Sequence, residues 1–474
     1  MIARDARSAP LAIPLRLAYI HTAAASETSV TVPFSIDPPQ HDAETGMLRL
    51  SYRLGALAFT EVLELPPGRP GTPEAQAAFT RLADLTAVVL GVSYFKLLAP
   101  FVISAPQIAL TEAERAFVLD VYENGLGEFY ARNELSRFGR LTLDFATRTE
   151  GQAPRLDLPR RTLLPIGGGK DSLVSVALLE AAGEPFSPFA VNPKGPILGS
   201  VEAIGTEPVY VRRTLDAEMI RLSQEPGYYN GHVPSTAINS MIAALVALIA
   251  GYDRIVLSNE RSASEGNVLF DGREANHQHS KSLDFEARIA GVLAAATGGA
   301  LDYFSLLRPF SEARIAGFFA RQTRFDRVFS SCNRNFRLSG HDGKLWCGNC
   351  PKCHFVFLIF APVMDKARLV SIFGKDLLDE PDNIAPYREL AGLAGQKPWE
   401  CVGEILEAAA CIDQLSRHPD WCDSAVIAAL APDLEAQYGR ATLDAAWAEL
   451  MTDTEHAAIP ADLARAVAAA AANG

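Results

Sequence analysis

Short apolar runs alternate with amphipathic stretches through the middle of the chain, from about residue 162 onward. The apolar runs predict β-strands at residues 162–166, 187–191, 208–212, 254–258 and 301–306. Apolar residues between them recur at helical spacing and predict helices near residues 171–182, 236–250, 280–296 and 311–320. Strands and helices that alternate in this way predict an α/β fold with a parallel, doubly wound sheet. Ligands of such sheets bind beyond the carboxyl ends of the strands.

The patterns on either side of this region are different. Residues 15–65 alternate apolar and polar positions, which predicts β-structure, and helices are predicted to begin at Pro73 and at a capping box on Thr111. Beyond residue 363 the apolar positions keep a helical spacing. We therefore predict an α+β accessory or substrate domain at 1–150, a catalytic domain at 160–362 and a helical carboxyl-terminal region at 363–474.

A glycine loop joins the first predicted strand of the catalytic domain to its first helix. Its residues are Gly167, Gly168, Gly169, Lys170, Asp171 and Ser172. Glycines let the backbone approach a ligand closely, and a helix N-terminus offers unpaired N–H groups to a phosphate. A Walker A loop would carry glycine in place of Leu164 and serine or threonine in place of Asp171, so that loop type is excluded. The alternative interpretation is a glycine turn that only closes a strand–helix unit.

This hexapeptide resembles the PP-loop of the N-type ATP pyrophosphatases, which is usually Ser-Gly-Gly-x-Asp-Ser. Gly168, Gly169, Asp171 and Ser172 match that pattern, and Gly167 replaces its first serine. The resemblance implies a sheet of the PP-loop, adenine nucleotide alpha hydrolase-like type, and cleavage of ATP between its α and β phosphates. Asn192 follows the second predicted strand, so we expect it at the same sheet edge, in the nucleotide site.

Two polar segments are predicted to reach that edge as well. Residues 258–267 follow the strand at 254–258, and residues 276–282 open the next helix. Their charged and histidine residues include Glu260, Arg261, Glu265, His277, His279 and Lys281. A solvated surface is the alternative, but the position opposite the glycine loop favours a functional site.

Four of the seven cysteines have the spacing of metal ligands. Cys347, Cys350 and Cys353 stand in a Cys-x2-Cys-x2-Cys motif, and Cys332 precedes it by fourteen intervening residues. Thiolates with this spacing can converge on one tetrahedral ion, which predicts structural Zn2+; an iron–sulfur cluster and buried thiols without metal are the alternatives. A PP-loop followed by four such cysteines resembles the 7-cyano-7-deazaguanine synthases, zinc proteins that adenylate a carboxylate, over residues 160–360.

Composition restricts the partners that the protein can bind. A net charge of −13 over 474 residues argues against a broad basic surface for nucleic acid. The longest continuous apolar run, residues 241–250, is about half of the ~18 residues that span a bilayer, so no membrane association is expected. Prolines at 10 and 14 and Arg16 interrupt any signal-like core, which predicts a cytoplasmic protein. The sequence does not indicate the oligomeric state.

Taken together, the glycine loop, the two polar segments and the Cys-Gly-Asn-Cys-Pro-Lys-Cys motif resemble the UDP-N-acetylmuramoyl-L-alanyl-L-glutamate epimerases of some bacteria. That family inverts the terminal L-Glu of a peptidoglycan precursor to D-Glu and releases AMP and pyrophosphate. The resemblance implies ATP, Mg2+ and a UDP-N-acetylmuramoyl-dipeptide substrate. The alternatives are another carboxylate-adenylating PP-loop enzyme, a tRNA-modifying one and a non-catalytic nucleotide-sensing or zinc-dependent interaction module.

The resemblance also suggests roles for the candidate residues. Gly167 to Gly169 and Ser172 would hold pyrophosphate, Lys170 would offset its charge, and Asp171 would help to hold Mg2+. The candidates for exchanging the α proton are Glu260, Glu265, His277, His279 and Lys281. Histidine is favoured among them because its ordinary pKa lies near working pH. Arg261, Arg273 and Lys281 are alternatives as ligands of the substrate's carboxylates or diphosphate.

Overall fold

The computed structural model describes residues 32–149, 151, 153, 155–264, 268–336, 343–395, 398, 400, 402–456 and 458–472. The described strands form one large sheet and a separate two-stranded hairpin. The large sheet contains β1 (Phe34–Ile36), β2 (Gln40–Asp42), β3 (Met47–Leu54), β4 (Leu57–Glu64), β5 (Val102–Leu110), β6 (Thr142–Thr147), β7 (Thr162–Pro165), β8 (Phe186–Val191), β9 (Val209–Thr214), β10 (Arg254–Leu257) and β13 (Asp302–Ser305). The hairpin consists of β11 (Val268–Phe270) and β12 (Arg273–Ala275).

One half of the large sheet is parallel. Its strands lie in the order β13, β10, β7, β8, β9, and each neighbouring pair runs parallel. The predicted parallel sheet is therefore confirmed, and its strands begin and end within two residues of the predicted bounds. The order of the strands reverses between β7 and β10, and ligands of such sheets bind at the reversal. The glycine loop follows β7 and the first polar segment follows β10.

Helices cover both faces of this parallel half. They are α5 (Lys170–Ala181), α6 (Pro196–Ile204), α7 (Ala217–Leu222), α8 (Ser235–Ala250), α9 (Leu283–Thr297) and α10 (Glu312–Phe319). Successive residues of a strand point to opposite faces, so β10 contributes to two cores. Ile255 packs in the core that contains α8 and α9, whereas Val256 packs in the core that contains α5 and α10.

The amino-terminal region continues the same sheet. Its helices are α1 (Pro73–Leu90), α2 (Val92–Phe95), α3 (Glu112–Glu123) and α4 (Gly127–Arg132). The predicted capping box on Thr111 is present at the start of α3. β4 pairs antiparallel with β9, and beside this junction the buried carboxylate of Glu61 lies 2.6 Å from Arg213. The sheet thus runs without interruption across the predicted boundary near residues 150–160, and the division into domains stays a prediction.

The longest apolar helical segment is part of the protein interior. By length and composition alone, Pro73–Phe95 is long and apolar enough to cross a membrane, but 83% of its most apolar window is buried inside the protein. It packs against α8 and α9. This is the environment of a core helix, in which apolar composition serves packing.

The carboxyl-terminal region is helical, as predicted. Its helices are α11 (Pro351–Phe360), α12 (Lys366–Phe373), α13 (Ile384–Leu390), α14 (Ile405–Ser416), α15 (Ala425–Tyr438), α16 (Arg440–Leu450) and α17 (Ala461–Ala472). They share one core with α5 and α10. The helix that follows the glycine loop is therefore supported from behind by the carboxyl-terminal helices.

Candidate active site

The glycine loop lies at the carboxyl end of β7, and α5 begins at Lys170. Gly168 has a φ of 77°, and a Cβ there would lie 2.9 Å from the backbone nitrogen of Ile197. A Cβ on Gly169 would lie 2.7 Å from Oγ of Ser331. These two positions accept only glycine without a shift of their neighbours. Gly167 is exposed and a Cβ there would meet no atom within 4 Å, so the loop leaves open space beside the first turn of α5.

Lys170 is anchored beneath the loop. Its side chain is fully buried, and its ammonium contacts the carboxylates of Asp171 and Glu312. Burial disfavours the charged ammonium, but the two negative charges outweigh it and hold the pKa of Lys170 above its ordinary value. The lysine is therefore a fixed positive charge at the start of α5.

Glu312 joins Lys170 to a second layer of charged groups. It opens α10 and is 3% exposed, and Nζ of Lys352 lies 3.8 Å from its carboxylate. Glu407 of α14 reaches the same helix end, where its Oε1 accepts a hydrogen bond of 2.9 Å from the backbone N–H of Ala313. Burial raises the pKa of Glu407 to about 8, and the charge of Glu312 adds to that rise. Glu407 is accordingly protonated at neutral pH.

Asp171 is the second residue of α5 and pairs with Lys170. It keeps 27% of its side chain exposed. Burial acts to raise its pKa, but the charges of Lys170, Lys352 and Lys281 outweigh burial and lower it. Lys281 belongs to residues 276–282, and the predicted functional site between that segment and the glycine loop stays a prediction. An ionised, partly exposed carboxylate is a suitable ligand for Mg2+.

Ser172 and Asn192 take part in local structure. Oγ of Ser172 donates to the carbonyl of Gly169 at 3.2 Å. Asn192 has a φ of 49°, and its side-chain amide bonds the N–H and C=O of Arg213 at 2.8 and 2.7 Å. This pairing ties the end of β8 to β9. Asn192 lies at the expected sheet edge, and its contact with a nucleotide stays a prediction.

A cleft of about 370 Å3 opens beside the glycine loop. The ends of β7, β8 and β10 and the first turn of α8 bound it. The lining residues are Pro165, Ile166, Gly167, Phe189, Ala190, Val191, Ile197, Ser235, Thr236, Asn239, Ser240 and Leu257. Mostly apolar walls with a few hydroxyl and amide groups are typical of small-molecule sites and suit an adenosine.

Arg308 fastens the two polar segments together. Its guanidinium donates to the carbonyl of Glu260 at 2.8 Å and to the carbonyl of Lys281, and it pairs with Glu286 of α9 at 2.9 Å. Arg308 and Glu260 are 4% and 5% exposed. The predicted site residue Glu260 is thus a buried residue of the first polar segment. Glu265 lies outside the described residues.

The two arginines predicted as substrate ligands, Arg261 and Arg273, contact other parts of the protein. Arg261 donates to the carbonyls of Thr452 and Glu449 at 3.4 and 3.3 Å. The guanidinium of Arg273 lies 4.2 Å from the ring centre of Phe138. Arg261 therefore supports the carboxyl-terminal helices and Arg273 supports the hairpin, and a role in substrate binding stays a prediction for both.

Both predicted histidines pair with carboxylates of the amino-terminal region. Nδ1 of His277 is hydrogen bonded to Glu128 of α4, and Nε2 of His279 lies 2.9 Å from Oδ2 of Asp120 of α3. Each carboxylate is only 8% exposed. The ring of His232 packs on that of His277 with 4.5 Å between centroids. The amino-terminal region therefore contributes directly to the histidine cluster.

Sequence reasoning did not find Asp120, Glu128 or His232. A signal existed for the two acids, because Asp120 interrupts the apolar run 117–121 and Glu128 interrupts the apolar run 126–130. Acidic residues are almost never fully buried without a partner, so an acid on an apolar helical face predicts a partner elsewhere in the chain. No comparable pattern surrounds His232.

The four motif cysteines converge. The sulfur separations are 4.0 Å for Cys332 and Cys350, 3.7 Å for Cys347 and Cys353, and 3.5 Å for Cys350 and Cys353. A zinc ion bound at ~2.3 Å by four tetrahedral thiolates needs sulfur atoms roughly 3.8 Å apart. The donor set therefore forms a possible four-cysteine metal site that is compatible with structural zinc.

The cysteine site adjoins the glycine loop. The N–H of Ser330 donates to the carbonyl of Gly168 at 2.8 Å, and Ser331 lies against Gly169. Lys352, which faces Glu312, stands between Cys350 and Cys353 in the sequence. The segments that carry the thiolates therefore also support the glycine loop and place Lys352 beside Glu312.

Comparisons with known proteins agree with this arrangement. The model of the MurL N-terminal domain matches residues 25–306, and that of the MurL C-terminal domain matches residues 328–445. A Micromonospora protein is 42% identical over 397 residues, which cover 82% of this chain and 88% of the relative. Proteins of Salinispora tropica and Xanthomonas oryzae are 40% and 39% identical, each over 84% of this chain and 88% of the relative. All three are named UDP-N-acetyl-alpha-D-muramoyl-L-alanyl-L-glutamate epimerase. The two MurL domain models and these relatives cover most of the length of the chain. The chain therefore belongs to the MurL family.

Proposed function

We propose that this protein is an ATP-dependent epimerase that inverts the terminal L-Glu of UDP-N-acetylmuramoyl-L-alanyl-L-glutamate to D-Glu in peptidoglycan precursor synthesis. Relatives that are 39–42% identical carry this epimerase activity in their names. The observation that carries the proposal is a chain of hydrogen bonds from the helix after the glycine loop to the histidine segment. Oγ of Ser175 in α5 lies 2.8 Å from Oγ of Ser258 in the first polar segment, and Arg308 binds the carbonyls of Glu260 and Lys281 and so joins that segment to the second. Activation of the substrate and exchange of its α proton then take place at one sheet edge.

The chemistry of the substrate explains the need for ATP. An ionised carboxylate resists loss of the neighbouring α proton, because deprotonation would build a second negative charge beside the first. Transfer of AMP to the carboxylate, with release of pyrophosphate, removes the first charge. The acyl-adenylate can then accept the electron pair of the C–H bond as an enolate. Closure onto the alanyl amide to an oxazolone would make the α proton more acidic still.

The glycine loop and its cleft are suited to the nucleotide in this scheme. The adenosine would occupy the cleft beside Gly167, and the open backbone of the loop and the first turn of α5 would hold the pyrophosphate. Ser172 and Asn192 line the same sheet edge. Asp171 would hold Mg2+, and Lys170 would offset negative charge from beneath the loop. In this assignment the sheet is of the PP-loop type.

Inversion at the α carbon requires proton exchange on both faces of that carbon. The described candidates are Glu260, His277, His279 and Lys281. The two histidines are favoured because each imidazole has a buried carboxylate partner that fixes the ring. A neutral imidazole can accept the α proton, and a cationic group on the opposite face can return one.

The four-cysteine site would hold Zn2+ as a structural ion. Zinc there would fix Ser330 and Lys352 beside the glycine loop without taking part in the chemistry. Free thiolate ligands and a nucleotide-linked substrate suit the reducing cytoplasm, where we place the reaction.

The test is incubation of the purified protein with ATP, Mg2+ and UDP-N-acetylmuramoyl-L-alanyl-L-glutamate in D2O. We expect AMP, pyrophosphate and a D-Glu product that carries deuterium at the α carbon. AMP without a change of chirality would instead indicate another carboxylate-adenylating enzyme, similar to the 7-cyano-7-deazaguanine synthases, or a tRNA-modifying enzyme. Absence of AMP with this substrate would exclude the proposed reaction.

A further inference from the structure

Glu128 and His277 form a buried carboxylate–imidazole pair between two distant parts of the chain. Glu128 lies in α4 of the amino-terminal region, and His277 lies two residues before the helical turn His279–Lys281 that leads to α9. The carboxylate accepts from Nδ1 of His277, and its other oxygen bonds Arg132. Burial acts to raise the pKa of Glu128, but the hydrogen bond and charge of His277 outweigh it and lower that pKa. The carboxylate is therefore ionised, and it selects the tautomer of His277 in which Nε2 is the basic nitrogen.

His232 completes the environment of this pair. Its Nδ1 is buried and makes no hydrogen bond with any residue that the structure describes. Burial and the charge of His277 lower the pKa of His232 to about 4, so this imidazole stays neutral. Lys96 holds the segment before His232, because its ammonium donates to the side-chain Oδ1 of Asn230 at 2.9 Å and to the carbonyl of Gly231 at 3.2 Å. A neutral ring thus packs on His277, whose Nδ1 is bonded to the Glu128 carboxylate.

The ring packed on His277 leads to the cleft beside the glycine loop. His232 lies 4.5 Å from His277 between ring centroids, three residues before Ser235. Ser235 and Thr236 open α8 and line the cleft together with Gly167. His277 therefore lies close to the segment that forms one wall of the cleft.

His279 has different surroundings. Its ring packs at 5.9 Å against that of Phe285, and its partner Asp120 also lies 4.0 Å from Arg288. The side chain of His279 is 17% exposed, compared with 23% for His277. These contacts direct His279 toward the start of α9, whereas His277 packs on His232, beside the segment that lines the cleft.

We propose that His277 is the base that removes the α proton of the activated glutamate, and that Glu128 is its positioning residue. The inference rests on the proposed function. Nε2 of His277 takes the α proton, and the electron pair of the C–H bond moves into the activated carboxyl group. The imidazolium that forms lies beside the Glu128 carboxylate, which balances its charge. A proton from the cationic group on the opposite face then completes the inversion. Water hydrolyses the acyl–phosphate bond to give the D-Glu carboxylate and AMP, and proton exchange with solvent restores both groups.

The experiment separates activation from proton exchange. ATP–pyrophosphate exchange in the presence of the dipeptide substrate reports adenylation, and deuterium at the glutamate α carbon reports proton exchange. For Glu128→Gln we expect deuterium incorporation to fall at least ~100-fold, because general-base catalysis is typically worth about 10²–10⁴-fold, while pyrophosphate exchange stays within about twofold of the parent. His277→Asn should behave in the same way, and Glu128→Asp should recover part of the loss because it restores the charge.

Glu114→Gln is the matched control. Glu114 is also a buried carboxylate of this region, and it pairs with Arg81 at 2.7 Å at the start of α3. This variant should lower the unfolding midpoint while the ratio of deuterium incorporation to pyrophosphate exchange stays unchanged. If that ratio falls in Glu114→Gln as it does in Glu128→Gln, any disturbance of the amino-terminal region impairs proton exchange. This result would overturn the proposal.

Three further outcomes would also overturn it. The first is parental deuterium incorporation in Glu128→Gln together with its loss in Asp120→Asn, which would assign the base to His279. The second is equal loss of pyrophosphate exchange and deuterium incorporation in Glu128→Gln. The third is a bound metal ion that His277→Asn removes, since Glu128, His232 and His277 place their ligand atoms within 4.8 Å of one another. A parent protein without AMP or deuterated product would instead contradict the proposed function itself.

Discussion

The ammonium of Lys170 is buried against the carboxylate of Glu312, although the two residues lie 142 positions apart in the chain. Lys170 opens α5, directly after the glycine loop, and Glu312 opens α10, after the last parallel strand. Their contact joins two helix N-termini at the edge where a nucleotide is expected. Because both side chains are at most 3% exposed, each is the main partner that offsets the cost of burying the other's charge, with Asp171 and Lys352 as the further partners.

Lys170→Met should therefore lower the free energy of unfolding by about 3–5 kcal/mol, since it leaves Glu312 as a buried charge without its main partner. Urea unfolding at pH 7 measures this loss. The double variant Lys170→Met, Glu312→Leu should be more stable than Lys170→Met, because it removes the unpaired charge as well. Equal or greater loss in the double variant would show that the two side chains are energetically independent.

The glycine loop offers a comparison between neighbouring positions. Gly168→Ala should lower the free energy of unfolding by about 1–3 kcal/mol, because alanine disfavours a φ of 77° and its Cβ would press on Ile197. Gly167→Ala should change it by about 0.5 kcal/mol or less, because a Cβ there meets no protein atom within 4 Å. Urea unfolding of both variants without nucleotide checks the difference. A destabilised Gly167→Ala would mean that the loop is packed differently.

The parallel half of the fold was predicted well because each of its strands and helices is specified by residues that are neighbours in the sequence. Strands buried on both faces read as short apolar runs, and the strand predicted at 254–258 is observed as Arg254–Leu257, all four residues of which are buried. The helix start at Thr111 was readable for the same reason, since a capping box lies within four consecutive residues.

Contacts between distant segments were not readable in this way. The pairing of β4 with β9 makes one sheet of two regions that local patterns separate, and the bond between Glu61 and Arg213 spans 152 positions. The carboxylate partners of the histidines were missed for the same reason. Glu128 lies 149 positions before His277, and periodicity carries no information about which distant group satisfies a buried charge.

The four-cysteine site should bind one zinc ion per chain. Cys350→Ser should lose that ion, because a structural site needs all four thiolates, and ATP–pyrophosphate exchange should fall with it since Lys352 and Ser330 lose their support. Elemental analysis of the purified protein gives the metal content. Cys411→Ala is the control, because Cys411 is a buried free cysteine of α14, outside the motif. Equal zinc content in the parent and Cys350→Ser would contradict the assignment, as would loss of zinc from Cys411→Ala.

Glu407 should make the protein less stable as the pH rises. Its folded pKa of about 8 lies above the ordinary 4.5, so the folded state holds a proton that the unfolded state releases between these values. Stability then falls across that interval, by up to about 4 kcal/mol for this group. Burial is the main cause of this shift; Glu312 and Glu404 add to it, and the N–H of Ala313 and Lys170 oppose it. Glu407→Gln keeps an acceptor for Ala313 and removes the titration, so its advantage over the parent should grow from pH 5 to pH 8 in urea unfolding. Glu449→Gln, a change at an exposed residue, should follow the parent profile. If the advantage of Glu407→Gln is the same at both pH values, Glu407 is ionised in the folded protein and the charged layer beneath the glycine loop is arranged differently.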